Sequence, residues 1–183
     1  MRFTLVPHPD TPGPDIAIEA EAHHQAPGRL HLVFSVTGDI AALSLPPPGP
    51  VVRADELWRH SCFEAFLRPG GDAGYFELNL APSRAWAAYR FTDYRMDMAS
   101  ADDVPAPEIE VTRRADDYRL SAAVDLSATL GLLADIPWRL GLSAVIEEES
   151  GRRSLWALAH PPGKPDFHHD HCFAAELAAA KRA

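Results

Sequence analysis

The chain has 183 residues, 26 of them Asp or Glu against 17 Lys or Arg, for a formal net charge of −9. An acidic surface repels phosphate, so no nucleic-acid partner is expected, and 46% hydrophobic with 23% charged residues is the composition of a folded chain, not a disordered one. The length suits one domain over residues 1–183, and 17 prolines argue against a helix bundle and for short elements joined by shaped loops.

The opening Met1-Arg2-Phe3-Thr4-Leu5-Val6-Pro7 holds too short an apolar run for a signal peptide. No apolar run approaches the roughly 18 residues of a membrane span, so a cytoplasmic chain without membrane contact is expected. Period-two alternation then marks strands at 16–21 and, after Pro27-Gly28, at 29–36. Residues 41–51, with Pro46-Pro47-Pro48, read as a long loop. Asp55-Glu56-Leu57-Trp58 reads as a single helical turn capped by Asp55.

A strand at 63–68 ends at Pro69-Gly70-Gly71. The glycines of 70–74 join two strands, which fits a hairpin connection better than a phosphate cradle. Tyr75-Phe76-Glu77-Leu78-Asn79-Leu80 is the cleanest strand, with Phe76, Leu78 and Leu80 on one face and Tyr75, Glu77 and Asn79 on the other. Another strand follows at 86–91. There Ala87, Tyr89 and Phe91 form the more apolar face and are expected in the core, which leaves Trp86 and Arg90 beside Glu77 and Asn79.

After a second long loop at 96–107 come strands at 108–113, 118–124, 139–147 and 154–159. A short helix is expected at 127–133, capped by Ser127. The tail at 173–180 is alanine-rich but alternates Phe173, Ala175 and Leu177, and reads as a strand with a frayed end. Ten or so short strands at this spacing predict an all-β chain, a β-sandwich with one or two short helices.

No nucleophile elbow, phosphate loop or zinc helix is present, so a binding domain is expected, not an enzyme. A flat indole (Trp86) beside a carboxylate (Glu77), an amide (Asn79) and a guanidinium (Arg90) suits a polyhydroxylated ring, although the same set also makes an ordinary solvated sheet face. Glu64 and Glu77 fall on neighbouring strands and could form a carboxylate pair, or each could satisfy an arginine or a backbone group. His160, His168, His169 and His171 cluster with Asp166 and Asp170 near the C-terminus. They read either as ligands for a divalent metal or as a hydrogen-bonded loop. Cys62 and Cys172 lie far apart, outside any C-x-x-C pair, and read as two small buried hydrophobes.

The ordered runs Leu57-Trp58-Arg59-His60-Ser61-Cys62-Phe63-Glu64, Tyr75-Phe76-Glu77-Leu78-Asn79 and Ala81-Pro82-Ser83-Arg84-Ala85-Trp86-Ala87-Ala88-Tyr89-Arg90-Phe91 resemble the DOMON-like domains of bacteria. These are related to family-nine carbohydrate-binding modules. Gly141-Leu142-Ser143-Ala144-Val145-Ile146-Glu147, Trp156-Ala157-Leu158-Ala159-His160-Pro161 and Pro165-Asp166-Phe167-His168 continue the likeness, which spans roughly residues 54–177.

The resemblance implies a jelly-roll or immunoglobulin-like sandwich and a non-catalytic role, since relatives bind sugars or haem. In the sugar-binding modules two tryptophans sandwich a terminal sugar, and a glutamate six residues after the first accepts from its hydroxyls. Trp58 and Glu64 have that spacing, and Trp156 lies where the second tryptophan should fall. Glu77, Asn79 and Arg90 lie in the region that supplies further polar contacts, without a one-to-one match. The ligand implied is a small polar molecule, a carbohydrate or sugar derivative. Haem would need axial ligands; Met96, Met98 and the histidines supply the residue types, but none matches an axial position. The alternatives are a metal- or haem-binding protein using the histidine segment, or a protein-interaction domain.

Overall fold

The computed structural model describes residues 1–129 and 136–180. Its strands are β1 (Arg2–Pro7), β2 (Ile16–Ala26), β3 (Arg29–Gly38), β4 (Val52–Arg53), β5 (Cys62–Pro69), β6 (Tyr75–Leu80), β7 (Ala85–Phe91), β8 (Ala99–Ser100), β9 (Glu108–Arg113), β10 (Asp117–Asp125), β11 (Trp138–Glu147), β12 (Arg153–Ala157) and β13 (Ala175–Leu177). They form two layers joined through one strand. One layer runs β1-β2-β3-β10-β9 and the other β4-β7-β6-β5-β11-β12-β1, with β8 added to β7 and β13 to β11. β1 belongs to both: Arg2 to Leu5 pair with β2, while Val6 and Pro7 pair with β12. The sheet is thus continuous and curls over on itself as a β-sandwich, with β4 against β7 its parallel pairing.

Alternation explains the layering. On β2, Ile18, Ala20 and Ala22 are buried while the residues between them are half-exposed, and β3 and β10 repeat the pattern with Leu30, Leu32, Phe34 and Val36 and with Tyr118, Leu120, Ala122 and Val124. These meet Phe63, Ala65 and Leu67 of β5, Phe76, Leu78 and Leu80 of β6, and Leu140, Leu142, Ala144 and Ile146 of β11 in one core. Phe63 bridges the layers: its ring stacks on Phe34 at 5.0 Å and on Tyr118 at 5.9 Å.

The β5–β6–β7 face turned away from this core is not solvated. Phe66, Tyr75, Ala87, Tyr89, Phe91 and Phe173 form a second buried cluster there, with Leu57, Trp58 and Phe167 packed against it. Every residue of β6 is accordingly buried. The candidate site lies in this second layer.

The helical expectations change. Among the described residues the helical pieces are 3-10 turns at Ile40–Ala42, Leu57–Arg59 and Asp170–Cys172. The turn at Leu57–Arg59 is preceded by Glu56 in the left-handed region (φ 58°) and has no side-chain cap. Asp55 does not cap it, because its Oδ1 accepts from the Tyr89 hydroxyl at 2.6 Å. Of the helix expected at 127–133, residues 130–133 lie outside the described residues; Ser127 and Ala128 form a turn in which the Ser127 hydroxyl donates to Asp125. The tail pairs as β13 with β11, the extended alternative.

Candidate ligand-binding site

Glu64 on β5 lies opposite Asn79 on β6 and opposite Ser143 on β11. Glu77, two residues before Asn79, stands diagonally across from it on the same face. Both glutamates are buried, at 2% and 4% exposure. The Ser143 hydroxyl donates to Glu64 Oε2 at 3.2 Å, and the Asn79 amide donates to Glu77 Oε1 at 2.7 Å. Glu64 Oε1 and Glu77 Oε2 accept no hydrogen bond from the described residues.

These two carboxyls form the floor of a cavity of about 350 Å³. Trp58, held edge-on against Tyr89 at 5.8 Å, forms one wall. Phe91, Val145 and Leu155 give apolar flanks, and Phe167 closes the site from the C-terminal segment. Arg95 reaches in from the loop after β7, where Arg95 and Asp97 both take left-handed backbone angles (φ 53° and 50°). Asp166 ties that loop to the C-terminal segment, accepting from the Arg95 guanidinium at 2.7 Å, from the Tyr94 hydroxyl, and from the His168 backbone N–H at 3.1 Å.

Burial dominates the electrostatics. It pushes Glu64 well above the ordinary carboxyl range, and the neighbouring Glu77 adds to the shift. Glu77 is also raised by burial, against the opposing pull of Asn79 and Arg95. Asp166 goes the other way: burial would raise it, but the Tyr94 and Arg95 hydrogen bonds outweigh that and hold it ionised.

His168 is pushed down to about 4 by burial and by the Arg95 charge. Its Nε2 is 3.8 Å from Glu77 Oε2, so a charged ring would form an ion pair, but the ring is neutral at pH 7. The Tyr75 oxygen accepts from the Arg95 backbone N–H at 3.1 Å and lies 2.7 Å from His168 Nδ1, which holds the ring in place on the cavity wall. Because the folded chain resists protonating His168 while the unfolded chain protonates near 6.5, stability falls as pH drops from 6.5 towards 4. The loss is about 3 kcal/mol. His168→Gln is expected to flatten this part of the stability–pH curve, measured by urea denaturation from pH 7 to 4; parallel curves for the two proteins would contradict it.

The structure brings together Trp58, Glu64, Glu77 and Asn79 of the expected residues. It moves three others to the opposite face. Trp86 is 5% exposed in the inter-sheet core, with the Arg53 guanidinium 5.0 Å from its ring centre. Arg90 shares that face and pairs with Asp103. The residues beside Asn79 and Glu77 are instead Ala87 and Tyr89. The apolar face of β7 faces the second cluster, not the main core, so apolarity alone could not orient the strand. Trp156 is also in the main core, 4% exposed, its Nε1–H donating to Ser154 Oγ at 2.9 Å, while Leu155 faces the cavity.

Of the four histidines, His169 and His171 pack edge to face with ring centres 4.8 Å apart, while His160 and His168 lie elsewhere. His168 lines the cavity, His160 Nε2 lies 2.9 Å from the Val6 carbonyl beside His8, and His169 Nδ1 accepts from the His171 N–H at 3.1 Å. No group of three or more His, Cys, Asp or Glu among the described residues is placed to hold a metal ion. Arg95 and Phe167 were not foreseen as site residues. Phe167 was visible only inside the Pro165-Asp166-Phe167-His168 run, and Arg95 had no signal, since a non-glycine left-handed loop leaves none.

No family model matches the sequence, and a search of curated proteins gives no match. Solved structures do match. A candidate carbohydrate-binding protein from Bacteroides uniformis superposes with a TM-score of 0.63 at 16% identity, over 97% of this chain and 85% of that one. A family-nine carbohydrate-binding module from Caldicellulosiruptor kristjanssonii superposes with a TM-score of 0.57 in its glucose complex (12% identity, 94% of this chain, 81% of that one). Its cellotriose complex gives 0.57 at 13% identity, over 94% and 80% of the two chains. At these identities the likeness is one of fold: the chain shares the β-sandwich fold of these structures.

Proposed function

We propose that the chain is a non-catalytic domain, akin to the DOMON-like domains its motif order resembles, that holds a small sugar in the cavity under Trp58. The observation that carries this reading is the pair of buried carboxyls, each with an unused acceptor oxygen, on the floor of an aromatic-walled cavity. A pyranose offers what such a site lacks. Its C–H face covers Trp58 and Phe167, and adjacent hydroxyls donate to Glu64 and Glu77. Arg95 supplies donors from the rim. The solved modules of the same fold that hold glucose and cellotriose support the ligand class.

Tryptophan fluorescence gives a direct test. Trp86, Trp138 and Trp156 are 5%, 0% and 4% exposed, so a ligand-induced change reports on half-buried Trp58. A saturable response to mono- to trisaccharides is expected, and Trp58→Ala, read by calorimetry, should weaken binding by roughly tenfold or more. Undiminished binding in Trp58→Ala, or no saturable response across the panel, would overturn the proposal.

A further inference from the structure

The acidic groups facing the cavity outnumber the basic ones. Among the described residues, Glu64 and Glu77 on the floor and Asp166 on the rim meet a single lining guanidinium, that of Arg95, which Asp166 already holds at 2.7 Å. His168 is the other basic group on the wall, and it is neutral at pH 7. Ser143 and Asn79 offer the two glutamates one neutral hydrogen bond each. Carboxyls buried to 2% and 4% exposure with an oxygen apiece left over are costly to keep, and a cation is the group that offsets them best. Trp58, Phe91 and Phe167 also line the space, and aromatic faces attract a desolvated cation.

Resting on the sugar-binding reading above, we propose that the sugar carries a protonated amine: an unsubstituted amino sugar whose ammonium sits between Glu64 and Glu77. An ammonium has three donors and no acceptor, so two N–H groups satisfy Glu64 Oε1 and Glu77 Oε2 and the third faces the cavity. The sugar ring then lies over the floor with its C–H face against Trp58. A neutral sugar can hydrogen-bond the same oxygens but brings no positive charge to the acidic floor, and an N-acetyl sugar removes that charge and adds an acetyl group. The net charge of −9 also favours approach of a cationic ligand.

Calorimetry at pH 6.5 separates these ligands. The probes are glucosamine, N-acetylglucosamine and glucose, and the β-1,4-linked trimers of the same three. The amino sugars are expected to bind at least about tenfold more tightly than their N-acetylated and neutral partners. That preference should collapse in Glu77→Gln, while the neutral sugars lose less. Glucose or cellotriose binding as tightly as the amino sugars would overturn the amine and leave sugar binding standing. No saturable heat from any of the six would overturn both.

Discussion

Trp156→Ala is expected to cost about 3–5 kcal/mol of folding stability, the range for truncating a fully packed large aromatic. The indole is 4% exposed and belongs to the inter-sheet core. Gly13 leaves the room it occupies, since a Cβ there would fall 2.3 Å from the Trp156 ring. Trp58→Ala should do the opposite: its ring is half-buried against Tyr89, so stability falls little while sugar binding falls steeply. Urea denaturation and sugar titration on the two variants would separate the roles. If Trp156→Ala kept full stability and lost only binding, the tryptophan would have to face ligand, against the register that puts Leu155 on that side.

Glu64→Gln is expected to make the protein more stable and less useful. Burial raises the Glu64 carboxyl well above its ordinary 4.5, so the folded chain keeps that proton to higher pH than the unfolded chain does. From 4.5 upward, each rise in pH therefore favours unfolding, and a glutamine escapes that penalty. The melting curves of wild type and variant should coincide near pH 4 and separate as pH rises to 9, with the variant higher. Binding should weaken roughly 10- to 100-fold, the worth of a hydrogen bond to a charged group. A variant less stable than wild type at pH 8 would mean that Glu64 is better compensated in the folded chain than Ser143 alone allows. A stability gain coupled to lost binding is the signature of a functional group held at a cost.

Strands were the legible part of this sequence, because alternation is written directly into Ile18-Ala20-Ala22 and Phe76-Leu78-Leu80. The short edge pieces β4 and β8 were not, since two residues carry no period. In the site, Trp58, Glu64, Glu77 and Asn79 could be read because they share strand faces or motif spacing. Trp86 was oriented by strand parity and Trp156 by motif order, and neither fixes the side: side-chain direction flips with each residue, so a single step in parity exchanges cavity for core. On β7 both faces are apolar, Trp86 and Ala88 on one and Ala87, Tyr89 and Phe91 on the other, and nothing local orients them. The C-terminal histidines looked like a cluster in sequence, but the hydrogen bonds of that segment turn His160 towards Val6 and His168 towards Tyr75. Arg95 and Phe167 enter from loops whose paths depend on Asp166, a long-range tie.

The dual pairing of β1 bears on how such a chain assembles. Val6 and Pro7 find their partners in Ala157 and Trp156, close to the other end of the sequence. During synthesis the first strand therefore emerges early, pairs through Arg2 to Leu5 with nearby β2, and waits for nearly all remaining strands before its last two residues are engaged. Contacts of such sequence separation slow folding, because loop entropy is lost before the contact rewards it. Until then β12, which carries Leu155 on one face and Trp156 on the other, has an open edge able to accept a foreign strand. The N-terminal segment is thus the clasp that closes the sheet, made first and fastened last.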